Sequence, residues 1–420
     1  MSGDEYCHRT AITRLSVSPH DESLLRETVD EWKRGCQIAS DKAWECCHSK
    51  ADVQQLAYDD VREETTLGSQ HAILACHQVS DNIKSCISRR REGRKAGKPT
   101  YTSPTISYDS RTMTVFPEQE AVSLTTHGDH SRVRADLVLP DDGDGYQHQF
   151  LSSEAWEPSQ STLHYRSGEW YLHLGFRKHK PDADETGTTE NRTVLGVDLG
   201  VKEIAVTSTA RFFSAAELNH NRREFKRVRA DLRTHGSRNA HRTLEAMSGR
   251  ETRYVTHVLH TVANGIVQEA LEYDCDGIVF EELDGIQRRL SNAAWHSKWA
   301  FDRIYEYVQY KAETEGIFVD TTSPKNTSKR CAECGFVHES NRPTRDRFDC
   351  RNCDTQNHAD YNAAKNVAEM YLRGEQQSSR RRGVSQYALK SGTVNPDEGF
   401  TPYTGESTDK PSNPQQSQRA

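Results

Sequence analysis

The sequence predicts an α/β chain of several domains: a β-barrel with a helical insert, then an α/β domain carrying a small cysteine ribbon, then a disordered tail. Three observations predict it. Two apolar, strand-like runs each close on a carboxylate, at Asp198 and at Glu281. Two Cys-x-x-Cys pairs lie between the second run and a helix that begins near Asp360. Ahead of these, short alternating runs from Thr100 to Arg177 have the texture of antiparallel strands.

The stretch Val194 to Val206 organises the rest. Apolar residues alternate with small ones up to Asp198, and Gly200 then permits a tight turn before a second apolar run. That is the pattern of a buried strand, a hairpin turn and a second strand. A carboxylate inside such a run costs several kcal/mol unless it is compensated. A divalent cation would do so, since hard cations prefer carboxylate oxygen, and backbone N–H groups at the strand end are the other way.

Composition bounds the possibilities. A chain of 420 residues allows two to four domains and an ample core. Mean hydropathy is −0.87, low for this length, so extended linkers or tails are expected. No apolar run is long enough to span a bilayer, and the N-terminus lacks a signal-peptide pattern, which reads as a soluble, cytoplasmic protein without membrane partners. Net charge is −7, which excludes a uniformly basic nucleic-acid coat. The positive charge is concentrated instead, in Arg89, Arg90, Arg91, Arg94, Lys95 and Lys98, in Arg222, Arg223, Lys226, Arg227, Arg229 and Arg233, and in Arg380 to Arg382. Arginine outnumbers lysine roughly two to one on an acidic background, the balance expected of a prokaryotic protein from a high-salt cytoplasm such as that of a halophilic archaeon. Of the eleven cysteines, Cys7, Cys36, Cys46, Cys47, Cys76, Cys86 and Cys275 have no metal spacing and read as buried thiols.

Along the chain, Thr10 to Val17 alternates like a strand, and Ser18-Pro19-His20-Asp21 opens a helix with a serine cap and proline in the first turn. Apolar residues recur at helical spacing from Leu25 to Cys47, and after a polar break a second helix spans Ala72 to Ile87. Short strands follow at Thr105–Tyr108, Met113–Phe116, Val122–Thr125 and Val133–Leu139, with a hairpin at Ser161–Phe176. Ala215 to Arg250 is basic and helical with a break at Gly236-Ser237, and Tyr254 to Glu272 continues as an amphipathic helix. His257 and His260 stand one turn apart there without a third ligand, so they read as packed or RNA-facing side chains.

Cys331-Ala-Glu-Cys334 and Cys350-Arg-Asn-Cys353 enclose fifteen residues. Each pair offers two thiolates from one knuckle, and two knuckles complete a tetrahedral zinc site. Gly335 falls where the first knuckle needs a positive φ. Four thiolates leave no open coordination position, so this zinc is structural. Asp360 sits in the first turn of the next helix, where the dipole favours the ionised carboxylate. That suits a metal ligand, though taken alone the residue reads better as one that only stabilises the helix.

Gly196-Val-Asp198-Leu-Gly200, Phe280-Glu281-Glu282-Leu283, Thr327-Ser328 before Cys331-x-x-Cys334-Gly335, Cys350-x-x-Cys353 and Asp360-Tyr-Asn362-Ala-Ala occur in that order. Together they resemble the TnpB (OrfB) family of insertion-sequence proteins, which is related to the type V CRISPR effector nucleases. The resemblance is close from Val194 to about Leu372 and loose before it. It implies a RuvC-like, RNase H-like nuclease domain over 192–325 and 355–372 with a zinc ribbon over 326–354. It also implies a wedge-like barrel over 1–17 and 99–180, a helical recognition insert over 18–98, a linker over 181–191 and a tail over 373–420. Asp198, Glu281 and Asp360 match the family's three catalytic carboxylates. The family usually has Glu-Asp-Leu where this chain has Glu-Glu-Leu; counting back from Leu283 favours Glu281, and Glu282 is the alternative.

The chemistry implied by the resemblance is hydrolysis of DNA phosphodiester bonds by two Mg²⁺ ions held by the three carboxylates. The implied partners are a target DNA and a guide RNA drawn from the end of the element. Arg89, Arg90, Arg91, Arg94, Lys95, Arg222, Arg223, Lys226, Arg227, Arg229 and Lys311 are the candidate phosphate contacts. Monomer and dimer both fit. Two other functions are compatible with the same residues: a transposase or resolvase acting on DNA without a guide, and a catalytically silent nucleic-acid-binding regulator.

Overall fold

The computed structural model describes residues 5–128, 131–141, 143, 145–181, 192–282, 294–378, 386–390, 392–396 and 399–402. Apart from Pro181, the linker expected over 181–191 lies outside them, as do Leu283 and residues 403–420 of the expected tail. The chain divides into two compact units, 1–179 and 180–420.

The first unit opens with β1 (Tyr6–Ser16) and then leaves the sheet for three helices, α1 (Pro19–Ala43), α2 (Lys50–Glu64) and α3 (Ser69–Arg91). It returns through β2 (Thr105–Tyr108), β3 (Met113–Phe116), β4 (Ala121–Thr125), β5 (Arg132–Val138), a one-turn α4 (His148–Leu151), β6 (Glu157–Pro158), β7 (Ser161–Arg166) and β8 (Glu169–His179). These strands form one eight-stranded antiparallel sheet in the order β2-β7-β8-β1-β5-β4-β3, with β6 on β8. Ala11, Thr13 and Leu15 of β1 point into the core, and Thr10, Ile12 and Arg14 are exposed, the two-residue alternation of a sheet buried on one face. The end strands β2 and β3 are not paired with each other among the described residues, so hydrogen bonds do not close the sheet into a ring.

The first helix starts as its sequence indicates: Ser18 Oγ accepts from the backbone N–H of Asp21 at 3.2 Å. A second helix stands where a polar break was expected. Only Val53, Ala57 and Val61 of α2 are buried, a stripe one residue wide, and the acidic and amide residues around it hide its period.

The second unit begins with the meander β9 (Thr193–Leu199), β10 (Glu203–Thr207) and β11 (Phe212–Ser214). Helices α5 (Ala216–His235) and α6 (Arg238–Glu272) meet at Gly236, whose φ of 59° ends the first, and at Ser237, which caps the second. Then come β12 (Gly277–Glu281), α7 (Ala294–Thr314), β13 (Phe318–Thr322), β14 (Arg347–Asp349), β15 (Gln356–His358) and α8 (Ala359–Ser378). The sheet order is β11-β10-β9-β12-β13, antiparallel in the meander and parallel from β9 to β13. Leu195, Val197, Ile278 and Phe280 face α6 and α7, while Val194 and Val279 face Val367, Ala368 and Leu372 of α8. The unit is therefore three layers deep. Among the described residues no helix is long and apolar enough to cross a membrane.

The tail expected to be disordered from residue 373 is structured over part of its length. The last helix runs on to Ser378, and β16 (Gln386–Tyr387), β17 (Gly392–Asn395) and β18 (Gly399–Pro402) follow. Parallel pairing of β16 with β9 and burial of Tyr387, Ala388 and Val394 order a stretch whose polar composition conceals them.

Candidate active site and zinc ribbon

Asp198 is the penultimate residue of β9, and Glu281 is the last of β12. Phe280 lies opposite Val197 in the parallel ladder, so the two acids follow at the same level on neighbouring strands. Asp360 is in the first turn of α8. That helix lies directly on β9 because residue 196 has no side chain: a Cβ there would stand 2.2 Å from the Ala364 carbonyl oxygen. Gly196 thus brings the helix bearing Asp360 down onto the strand bearing Asp198.

The three carboxylates feel one another. Asp198 is partly exposed as a residue, but burial of its carboxyl raises its pKa well above the ordinary value, and Asp360 and then Glu281 raise it further. Arg342 opposes the shift. Glu203 is raised too, by burial and then by Asp360. Mutual repulsion of this kind calls for a cation. The donor set, three hard carboxylates, fits Mg²⁺, which keeps several waters and takes only one or two carboxylates per ion. Glu281 Oε1 accepts from the Thr327 hydroxyl at 3.4 Å. Glu282 is exposed, and its backbone N–H donates to Thr322 O at 2.8 Å.

Arg342 is the residue that sequence reasoning missed. Its Nη2 lies 2.9 Å from Asp360 Oδ1, while Nε donates to the Arg345 carbonyl at 3.0 Å. A loop of the ribbon therefore holds a guanidinium against the Asp360 carboxylate in the first turn of α8. Nothing periodic marks it, since it stands in a polar stretch before Pro343.

The Sγ atoms of Cys331, Cys334, Cys350 and Cys353 all lie within 4.8 Å of one another. Cys331 and Cys353 are 3.7 Å apart, and Cys334 and Cys350 3.6 Å. A tetrahedron with Zn–S bonds of about 2.3 Å has edges of about 3.8 Å, so the four thiols fit one zinc ion. Gly335 has φ of 75°, and Asp354 takes the matching left-handed place in the second knuckle at 55°. Burial pushes the Cys334 thiol up, but the Phe336 backbone and the Asn352 side chain outweigh it and bring it down to about 7.

The first knuckle docks on α8 through a polar face. Asn362 Nδ2 donates to Arg330 O at 2.8 Å and its Oδ1 accepts from Ala332 N–H at 3.0 Å. Asn366 Nδ2 donates to Thr327 O at 2.8 Å, Lys365 pairs with Glu333, and Glu369 pairs with both Arg330 and Arg373. Residues 362, 365, 366 and 369 share one helix face, so a polar stripe at helical spacing was the available signal. Glu369 is 2% exposed, and removing one partner of a buried pair costs about 3–5 kcal/mol. Glu369→Ala is expected to lose that much in denaturant unfolding; a loss below about 1 kcal/mol would contradict a buried docking pair.

The basic residues divide by role. Arg89, Arg90 and Arg91 form the exposed last turn of α3, with Arg94 and Lys95 exposed just beyond. Arg90 stacks on Trp44, its Cζ 4.7 Å from the ring centre. On α5, Arg229 pairs with Glu251 of α6, so it braces two helices, and Arg227 pairs with Glu224. Arg222, Arg223 and Lys226 make no hydrogen bond or ion pair among the described residues. Lys311 lies 5.2 Å over the Tyr310 ring, and His260 stacks on Tyr307 at 3.8 Å.

Residues 301–367 match the family model described as Cas12f1-like, TNB domain. The CRISPR-associated endodeoxyribonuclease Cas12f1 of Sulfoacidibacillus thermotolerans is 24% identical over 395 residues, 82% of this chain and 92% of that protein. TnpB-like protein MJ0751 of Methanocaldococcus jannaschii is 30% identical over 116 residues, 26% of this chain and 41% of that protein. A Cas12f1 chain solved with single-guide RNA and target DNA superposes with a TM-score of 0.61 at 14% identity, covering 87% of this chain and 99% of that one. The fold is that of the Cas12f-type effectors. In sequence the chain is similar both to Cas12f1 endodeoxyribonucleases and, over a shorter stretch, to TnpB-like proteins, which supports a TnpB/type V effector-like family.

Proposed function

We propose that this protein is an RNA-guided, Mg²⁺-dependent DNA endonuclease carried by a mobile element. The observation that carries the reading is the meeting of Asp198, Glu281 and Asp360 where α8 lies on the β9–β12 strands. It is supported by a relative named as an endodeoxyribonuclease that the chain matches over nearly that relative's whole length.

Asp198, Glu281 and Asp360 would hold the magnesium ions, which when bound supply an activated water and stabilise the departing 3′ oxygen. Glu281 is preferred to Glu282, because it is the one whose charge reaches Asp198. Thr327 orients the Glu281 carboxylate, and Arg342 balances charge at Asp360 and can turn to the phosphate as negative charge grows there. The four cysteines hold a structural zinc that keeps the Arg342 loop in place. The first unit is read as the wedge-like barrel with its helical recognition insert, and the second as the RuvC-like domain with its ribbon over 326–354. The exposed arginines and lysines of α3 and α5, with Lys311, would hold guide RNA and heteroduplex by shape.

The test is sequencing of RNA that co-purifies with the Asp198→Ala protein. One abundant RNA with a uniform 3′ boundary, mapping to the end of the protein's own element, is expected. DNA in its place, with no enriched RNA, would favour a guide-free transposase or resolvase.

A further inference from the structure

We propose that residues 386–390 and 392–396 are a strap that positions the carboxylate centre, acting through Tyr361, Asn357 and Ser208. The proposal rests on the nuclease reading and adds a part to its machinery. The stretch reaches two of the three acid-bearing segments within a few residues of the acids themselves.

On the strand side, Ala388 N–H donates to Val194 O at 2.9 Å, which extends the pairing of β16 with β9. The Ser208 hydroxyl donates to Ala388 O at 2.7 Å and accepts from Gly196 N–H at 3.1 Å. A buried chain of two hydrogen bonds thus runs from the strap to the residue two before Asp198. On the helix side, the Tyr361 hydroxyl donates to Lys390 O at 2.9 Å. Tyr361 is fully buried and adjoins Asp360 in the chain. Asn357 Oδ1 accepts from Val394 N–H at 2.8 Å, three residues ahead of Asp360. Val394 itself packs with Val206 and Tyr361. The strap therefore ties the strand of Asp198 to the helix turn of Asp360, the two groups whose separation a metal pair must match.

Hydroxyl–carbonyl bonds of this kind set distance and not charge, so these are positioning residues. Tyr361→Phe removes one bond and keeps the buried ring. In the full chain, loaded with its guide, Tyr361→Phe is expected to lower kcat about three- to tenfold and raise the Mg²⁺ midpoint comparably, with KM for DNA unchanged and the melting temperature lowered by only a few degrees, too little to deplete the folded fraction at the assay temperature. Hydrogen exchange gives a readout that does not depend on cutting. Mg²⁺ should slow exchange at the Ala388 and Val394 amides in the wild type, and not in Asp198→Ala. A Tyr361→Phe protein with wild-type kcat and Mg²⁺ midpoint, together with exchange indifferent to Mg²⁺, would overturn the strap. So would a loss of cleavage that only tracks the folded fraction. If Asp198→Ala cleaves like the wild type, the nuclease reading fails instead, and the exchange experiment still decides the strap because it follows the ion.

Discussion

Replacing Asp198 with alanine is expected to slow plasmid cleavage by at least about a thousandfold, a loss of about 4 kcal/mol in transition-state stabilisation. Three features make this the most damaging single change. Asp198 is the penultimate residue of the central strand and is paired with Val206 of β10, one residue beyond the Val197–Phe280 pairing with β12. Burial holds its carboxyl well above the ordinary carboxylate range, and the charges of Asp360 and then Glu281 raise it further. It also stands two residues after Gly196, where α8 packs so tightly on the strand that a Cβ would meet the Ala364 carbonyl. Binding of RNA and DNA should survive, because the residues assigned to phosphate contact lie on other elements. The check is a time course of supercoiled plasmid loss at fixed Mg²⁺, with filter binding in parallel. Unchanged cleavage by Asp198→Ala would sink the nuclease assignment.

Cys334→Ser, or prolonged exposure to a strong chelator, is expected to release the roughly one zinc per chain and unfold the ribbon. Zinc sites of this kind are worth about 10–16 kcal/mol of apparent binding energy, far more than a ribbon of two short strands can supply itself. The damage should spread beyond the cysteines. The knuckle carries Arg330, which pairs with buried Glu369, and the loop between the pairs carries Arg342, which contacts Asp360. Loss of zinc therefore frees a guanidinium from the candidate site and leaves a carboxylate buried without part of its compensation. Metal analysis by mass spectrometry, with hydrogen exchange over residues 326–358, measures both effects. A fully folded preparation without zinc would rule out this account of the ribbon.

Much of this architecture was legible because it is written in period. The strands Thr105–Tyr108 and Met113–Phe116 have the bounds their alternation indicates. The acids Asp198 and Glu281 stood out as carboxylates closing apolar runs, and the four cysteines as paired knuckles. What stayed hidden has no period. Arg342 acquires its partner from the path of a loop, and α2 buries too narrow a stripe to register. The pairing of β16 involves two residues, and its supporting bonds run through isolated hydroxyls, Ser208 and Tyr361. The docking face of α8 lay in between: its spacing was readable, but polar side chains at that spacing are ordinarily taken for a solvated surface.

The pairing of β9 with β16 also has a consequence in time. Thr193 and its partner Gln386 are separated by almost the whole second unit. At roughly 5–20 residues per second of synthesis, the strand bearing Asp198 emerges on the order of 10–40 s before the segment that completes its edge. For most of that interval the ribosome holds a chain whose first acid already exists while the helix of Asp360 does not, and the segment behind that helix follows last. The carboxylate centre proposed above is therefore complete only after the last of these segments has been made.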